Sequence, residues 1–130
     1  MTFLQPYLLV FLGAGLGGVL RHILNVTITR WFGGDFPWAT IFINVSGSAV
    51  MGLLAGWLAF KAGAGWTQHV RLFLATGVLG GYTTFSTFSL ESILLIERGE
   101  AGAALAYVGG SVLFGVLGLW GGLLFARTIT

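Results

Sequence analysis

The chain has 130 residues, of which 56% are hydrophobic and only 8% are charged. Because a soluble domain carries roughly 25% charged residues, this composition indicates an integral membrane protein. The net charge of +2 comes from side chains placed mostly between apolar runs, which excludes the basic patch that nucleic-acid binding needs. Cysteine is absent, so disulfides and thiolate metal ligands are excluded. We expect one membrane domain over residues 1–130.

Apolar segments predict four membrane-spanning helices, at about residues 4–31, 37–60, 69–97 and 102–127. The first segment has no basic leader region and no convincing cleavage site, so a signal peptide is not expected. It contains Arg21, at a depth where an unpartnered charge is costly. Arg21 either snorkels to the interface or forms the electropositive wall of a vestibule that attracts anions, and the two roles are compatible.

Glycine recurs at close-packing spacing in every predicted span. Residues 13–18 spell G-x-G-x-x-G, but no βαβ unit surrounds them, so a dinucleotide site is rejected. The same stretch contains a small-x-x-x-small pair, and so do the other spans. The pairs are Gly13 and Gly17, Gly52 and Gly56, Gly77 and Gly81, and Gly118 and Gly122. Together they predict helices packed backbone to backbone.

Polar side chains form stripes in the second and fourth spans. Thr40, Asn44 and Ser48 are spaced four apart on one helix face, as are Tyr107 and Ser111. An asparagine in hydrocarbon needs a partner. Asn44 therefore either makes an interhelical hydrogen bond or presents an amide donor to a pore.

The third span cannot be a comfortable helix throughout. Between residues 77 and 89 it contains three glycines and a run of hydroxyl side chains, which weaken a helix and compete for backbone hydrogen bonds. It is either a kinked packing helix or a helix broken in mid-membrane, whose freed carbonyl groups could hold a cation. Phe85 and Phe88 lie on one face just beyond. Glu91 is expected to be a helix-end carboxylate in contact with water.

The basic residues are balanced across the predicted membrane. Lys61, Arg71 and Arg127 fall on one side, and Arg21, Arg30 and Arg98 fall on the other. The positive-inside rule therefore selects no orientation, unless a partner or a hydrophobic signal decides it. This balance favours insertion in both directions and an antiparallel homodimer. Carbonyls near Gly80 and Thr83 could then face each other across the two-fold axis, and four such oxygens suit Na⁺.

Three motifs resemble those of the Fluc (CrcB) fluoride channels. Residues 80–89, GGYTTFSTFS, resemble the family signature, residues 17–21 resemble its first-helix motif, and residues 44–47 resemble its second-helix motif. The similarity covers essentially the whole chain. Tyr82 is the main departure, because a smaller or aliphatic residue is expected there.

The resemblance implies an all-α, dual-topology homodimer in the cell inner membrane, with four spans per subunit and the third helix broken. It implies passive export of fluoride through two pores, which protects microbes from the ion. It implies a structural Na⁺ held by the carbonyls of Gly80 and Thr83, and it matches Arg21 to the arginine of the first helix. The implied pore residues are Asn44, Phe85, Phe88, Tyr107 and Ser111, and the Thr40 hydroxyl is a further candidate donor to the ion.

Two other classes of protein compete. A small multidrug-type proton-coupled transporter also has four spans, but it needs a membrane-embedded carboxylate, and the first span contains no acid. A non-transporting assembly subunit would use the helices only for packing. No enzyme is expected, because His22 and His69 lie on different elements without companion ligands, and no catalytic triad or acid pair stands out.

Overall fold

The computed structural model describes residues 2–130, and its regular structure is entirely helical. Helix α1 covers Gln5–Phe32 and α2 covers Trp38–Phe60. The region of the third predicted span is divided. It contains α3 (Thr67–Val70), a π-helical segment π1 (Arg71–Leu79), α4 (Gly80–Tyr82) and α5 (Phe85–Glu97). Helix α6 covers Ala101–Ile129. The prediction of an all-helical fold is confirmed.

Within residues 2–130, three helices are long and apolar enough to cross a membrane, namely α1, α2 and α6. Many of their large apolar side chains point outward. Phe11 is 74% exposed and Val116 is 64% exposed. A continuous apolar exterior of this kind marks a surface that faces lipid. Few apolar residues are buried inside the bundle, because most of them lie on its hydrophobic exterior.

The helices pack as two close pairs, α2 with α6 and α1 with π1 and α4. Glycine makes both contacts possible. A Cβ atom at Gly52 would collide with the carbonyl oxygen of Leu119, and one at Gly17 would collide with that of Val78. Each predicted glycine pair lies at one of these two contacts, so the close-packing interpretation is confirmed.

Gly13 and Gly15 offer a direct test of this packing. A Cβ atom at Gly13 would collide with the Phe73 carbonyl and lie 2.9 Å from Gly77 Cα, whereas one at Gly15 meets no atom within 4 Å. We expect Gly13→Ala to destabilise the fold by about 1–3 kcal/mol through overpacking against rigid backbone. Gly15→Ala should be neutral or slightly stabilising, because alanine is the better helix former. The thermal unfolding midpoint in detergent measures both, and equal midpoints for the two variants would contradict the packing.

Two extended residues separate α4 from α5. Thr83 has φ −81° and ψ 158°, and Thr84 has φ −149° and ψ 116°. The Thr83 hydroxyl donates to the carbonyl of Leu79 (3.0 Å), and the Thr84 hydroxyl accepts from the backbone N–H of Thr87 (3.2 Å). Threonine is a preferred residue at a helix N-cap for this reason. One hydroxyl therefore helps to end the first half of the span, and the other begins the second half.

The π-helical bonding of π1 differs from the continuous α-helix expected before the interruption. The backbone N–H of Gly80 reaches the carbonyl of Ala75, five residues back. π-helical turns are rare in proteins, and those that do occur are often found at functional sites. Gly77 lies inside π1, and a Cβ atom there would lie 2.9 Å from Gly13 Cα. The widened turn is thus seated directly on α1, immediately before the interruption.

The loops at one end of the bundle are tied together. Gly33 (φ 83°) ends α1, and Gly99 (φ 80°) follows α5, each in a backbone conformation that favours glycine. The Arg98 guanidinium donates to the backbone carbonyl of Asp35. Phe36, from the same loop as Asp35, packs edge-on against the buried ring of Tyr107. This clasp holds the α1–α2 loop over the start of α6.

Candidate functional site

A cleft of about 400 Å³ lies beside the interruption, between α2, the two halves of the divided span and α6. It gathers candidate residues from three separate stretches of the chain. Those that line it are Asn44, Gly80, Thr83, Phe85, Phe88 and Ser111. The lining also includes two polar residues outside the predicted set, Ser48 and Thr84. The stripe through Thr40 and Asn44 is the sequence signal that extends to Ser48.

Asn44 pairs with the backbone of Thr84 in both directions. Its Nδ2 donates to the Thr84 carbonyl (3.0 Å), and its Oδ1 accepts from the Thr84 backbone N–H (2.8 Å). The amide thus replaces the backbone partners that Thr84 would have in a continuous helix. An amide NH₂ carries two donors, so one remains for an acceptor in the cleft. Asn44 makes the interhelical bond and still faces the cavity.

The same pairing removes helical donors from two carbonyl groups. In a continuous α-helix the Gly80 carbonyl would accept from the N–H of Thr84, and the Thr83 carbonyl from that of Thr87. Here Thr84 N–H donates to Asn44, and Thr87 N–H donates to the Thr84 hydroxyl. Both carbonyls are therefore released from the helical pattern. They are the two carbonyls that the resemblance matches to a cation site, and Gly80 lies on the exposed side of the chain.

The Ser111 hydroxyl is an orphaned polar group. Its Oγ is buried and has no hydrogen-bond partner among the described residues, although Ser111 lines the cleft. Leaving a buried donor unsatisfied costs about 1–3 kcal/mol. The Ser111 hydroxyl hydrogen is therefore a donor that no described residue uses.

Aromatic rings lead from the interruption towards the clasped loops. The ring centroids of Phe85 and Phe88 lie 5.7 Å apart, those of Phe88 and Tyr107 lie 5.2 Å apart, and those of Tyr107 and Phe36 lie 5.6 Å apart. Phe85 is 77% exposed in the single chain, so its ring projects beyond the subunit's own packing. The edge of a phenyl ring carries the positive part of its quadrupole and can face an anion.

Neither Tyr107 nor Thr40 is among the residues that line the cleft. Tyr107 is fully buried, and its hydroxyl donates to Glu91 Oε1 at 3.1 Å behind the cleft. Glu91 lies within α5, well before its last residue, and is half-buried. The expectation that Glu91 lies at a helix end is therefore wrong. The carboxylate sits where it can accept from Tyr107, because both residues face the contact between α5 and α6.

A second cavity, of about 230 Å³, lies on the other side of the interruption. Its lining includes Arg21, His22, Thr40 and Thr87. Thr84 lines both cavities, so the Asn44–Thr84 pair stands between them. Of the described residues that line the two cavities, Arg21 alone carries a guanidinium, which makes the smaller cavity the electropositive one.

These features define a multi-pass, all-helical membrane protein with a cavity on each side of the interruption between α4 and α5, and each cavity has polar side chains among its lining residues. The family described as "CrcB-like protein, Camphor Resistance (CrcB)" matches residues 8–123. The chain belongs to this family, and the resemblance to the Fluc (CrcB) channels is confirmed.

Curated relatives match almost from end to end. A protein of Rhodopseudomonas palustris (strain BisB5), named "Fluoride-specific ion channel FluC", is 60% identical over 126 residues, which are 97% of this chain and 100% of the relative. A relative of the same name from Beijerinckia indica is 58% identical and covers 98% of this chain and 100% of its own length. "Fluoride-specific ion channel FluC 2" of Nitrobacter hamburgensis is 57% identical over 95% of this chain and 98% of its own length.

Family membership and the helices together make this chain a multi-pass protein of the cell inner membrane. Because the family consists of ion channels, the expectation that the chain is not an enzyme is confirmed. Nothing in these matches favours a small multidrug-type transporter.

Proposed function

We propose that this protein is a passive, fluoride-selective channel that exports F⁻ across the cytoplasmic membrane. The observation that carries the proposal is the Ser111 hydroxyl, which is buried and has no hydrogen-bond partner within residues 2–130, beside a cleft that Asn44 and Phe88 also line. This is a set of donors and ring edges suited to a small anion. The relatives named as fluoride-specific channels support the same ion.

Conduction requires the cleft to replace the hydration shell of fluoride without holding the ion too tightly. The remaining Asn44 N–H and the Ser111 hydroxyl each supply one hydrogen-bond donor. The edges of Phe85 and Phe88 add weak positive potential without a fixed charge. Lysine and arginine are absent from the residues that line the cleft, so no strong ion pair retains the anion there. A larger halide accepts weaker hydrogen bonds and fits a narrow path less well.

Arg21 attracts anions into the smaller cavity before they enter the cleft. Its guanidinium lines the smaller cavity, which reaches the opposite face of Thr84. A cavity lined by one sign of charge raises the local concentration of the opposite ion. Thr40 and Thr87 offer hydroxyl groups in this cavity, on the way to the interruption. Thr40 thus acts at the approach to the cleft, and the buried Tyr107 supports Phe88 from behind.

The working unit is an antiparallel homodimer that contains two pores. Gly80 and Phe85 lie on the exposed side of the single chain, so the released carbonyl and the projecting ring are both open to a second copy. The balanced distribution of basic residues permits the two copies to insert in opposite directions. The interruption of each copy then lies in mid-membrane, and the partner completes the wall beside each Phe85.

A structural Na⁺ fits the released carbonyls. Two backbone oxygens from each copy, those of Gly80 and Thr83, form a neutral oxygen set that suits a hard, redox-inert cation. When bound, the cation lowers the electrostatic cost of bringing an anion into the membrane interior. The chain's own contribution is to hold the two carbonyls away from helical donors, through the pairing of Asn44 with Thr84.

Fluoride efflux from liposomes tests the proposal. Purified protein is reconstituted with KF inside, and valinomycin provides the charge-compensating K⁺ path. A fluoride electrode should then record rapid efflux. From vesicles loaded with KCl, a chloride electrode should record release that is slower by orders of magnitude. Efflux that does not exceed that of protein-free vesicles would contradict the proposal. Collapse of a proton gradient by a lipophilic cation, without fluoride flux, would identify the proton-coupled class instead.

A further inference from the structure

We infer that Tyr82 is a positioning residue, which orients the Thr83 carbonyl for cation binding through a hydrogen bond from its hydroxyl to Ser46 on α2. This inference rests on the proposed Na⁺ site. Tyr82 occupies the position at which the resemblance to the family leads us to expect a smaller or aliphatic residue. It is 7% exposed and is the last residue of α4 before the interruption.

The direction of the hydrogen bond follows from the donors available. The Tyr82 hydroxyl and Ser46 Oγ lie 2.8 Å apart. The single hydroxyl hydrogen of Ser46 is directed to the carbonyl of Ile43, at 3.1 Å. Tyr82 must therefore donate and Ser46 accept. The three groups form a short chain of hydrogen bonds that ends on the backbone of α2.

The ring of Tyr82 is also held by shape. A Cβ atom at Gly47 would lie 3.1 and 3.3 Å from two carbon atoms of the ring and would collide with Thr83 Cγ2. On the other side, a Cβ atom at Gly17 would lie 2.9 Å from the backbone nitrogen of Tyr82. The end of α4 is thus wedged between glycines of α1 and α2, and the ring has a defined seat.

Two anchors straddle Thr83. The Tyr82–Ser46 bond holds the residue before it, and the Asn44–Thr84 pair holds the residue after it. Both anchors reach α2, and the Tyr82 anchor fixes the end of α4 against that helix. The Thr83 N–H donates to the Leu79 carbonyl at 3.0 Å and the Thr84 N–H donates to Asn44, so the peptide groups on either side of Thr83 are both held. A carbonyl held in its binding direction loses less conformational freedom when a ligand arrives. The Tyr82 anchor therefore strengthens cation binding without touching the cation.

Phenylalanine separates this role from packing, because it fills the same seat and lacks only the hydroxyl. The variants are Tyr82→Phe, Ser46→Ala and the double variant, and the matched control is Tyr7→Phe. Tyr7 is 65% exposed and lies near the N-terminus of α1, far along the chain from the interruption. All are purified in detergent with Na⁺ replaced stepwise by N-methylglucamine at constant ionic strength.

The readout is the Na⁺ concentration equal to the apparent dissociation constant, obtained from the rise of the unfolding midpoint with Na⁺, because a ligand that binds only the folded state stabilises it by RT ln(1 + c/Kd), where c is the ligand concentration. Tyr82→Phe should raise this concentration about tenfold, as the loss of one hydrogen bond predicts. Ser46→Ala should raise it similarly, and the double variant should be no worse than either single variant. Tyr7→Phe should match the wild type. Fluoride efflux is recorded on the same preparations.

Several outcomes overturn the inference. They are an unchanged Na⁺ dependence in Tyr82→Phe, an equal shift in Tyr7→Phe, or a wild-type protein that Na⁺ does not stabilise. If Tyr82→Phe does not fold, the Na⁺ dependence of Ser46→Ala tests the inference in its place, because this variant removes the acceptor and leaves the ring of Tyr82 intact. Fluoride efflux that is normal in a Na⁺-insensitive wild type would defeat the inference and leave fluoride conduction intact. A Na⁺ shift in Tyr82→Phe without wild-type fluoride flux would support the inference and defeat the proposed function.

Discussion

Replacing Asn44 by alanine is expected to reduce fluoride efflux by about 100-fold or more. The substitution leaves the N–H and carbonyl of Thr84 without their side-chain partners and removes the remaining amide donor from the cleft. Each unsatisfied buried group costs about 1–3 kcal/mol, so the extended backbone at the interruption will rearrange. A barrier raised by about 2.7 kcal/mol already lowers a rate about 100-fold. The measurement is electrode-recorded efflux per reconstituted channel.

Asn44→Asp divides this effect into its two parts. A carboxylate can still accept from the Thr84 N–H, but it cannot donate to the Thr84 carbonyl, and it presents negative charge to an anion. We expect this variant to conduct no better than Asn44→Ala, because the carboxylate repels both the Thr84 carbonyl and the permeating anion. The matched control is Gln68→Ala, which removes an exposed amide from α3 and should conduct at the wild-type rate. Wild-type flux in Asn44→Ala would exclude both the backbone-pairing role and the donor role.

Replacing Phe88 by isoleucine is expected to lower fluoride efflux by at least tenfold, and Phe85→Ile should have a comparable effect. Isoleucine keeps an apolar side chain of considerable size but has no ring edge to face the anion. Phe88 also stacks at a tilt against Tyr107, so its loss loosens the wall of the cleft as well. Removing about 1.4 kcal/mol of stabilisation from the barrier region corresponds to a tenfold loss of rate.

Phe125→Ile provides the control for the aromatic substitutions. Phe125 lies on α6 with 57% of its surface exposed on the apolar exterior, and it does not line the cleft. Its replacement should leave efflux within about twofold of the wild type, as is usual for exposed substitutions. The unfolding midpoint of each variant shows whether lost flux merely reflects lost folding. If Phe88→Ile and Phe125→Ile conduct equally well, the ring edges have no role in permeation.

Much of the architecture follows from local sequence pattern. Apolar runs of membrane length predict helices whatever they pack against, because the lipid interior admits no unpaired backbone. Glycine pairs four residues apart predict close backbone contacts, since only the missing side chain allows such an approach. The types of residue in the cleft are also readable. An asparagine at position 44 and a serine at position 111, each on an apolar helix, already predict buried hydrogen-bond donors that need acceptors.

The partners of those donors are decided only by the packed chain. Asn44 is 40 residues from Thr84, Ser46 is 36 residues from Tyr82, and Glu91 is 16 residues from Tyr107. A periodic pattern says which face of a helix a side chain occupies, but not which atom of another helix meets it. Glu91 lies in the middle of α5 and not at a helix end, and its partner Tyr107 lies on another helix, which no local pattern reveals. The interruption between α4 and α5 is also decided by tertiary contacts. Hydroxyls and glycines weaken a helix, but they do not show where it breaks. The amide of Asn44, on another helix, supplies the hydrogen bonds that the extended Thr84 needs in a water-poor interior.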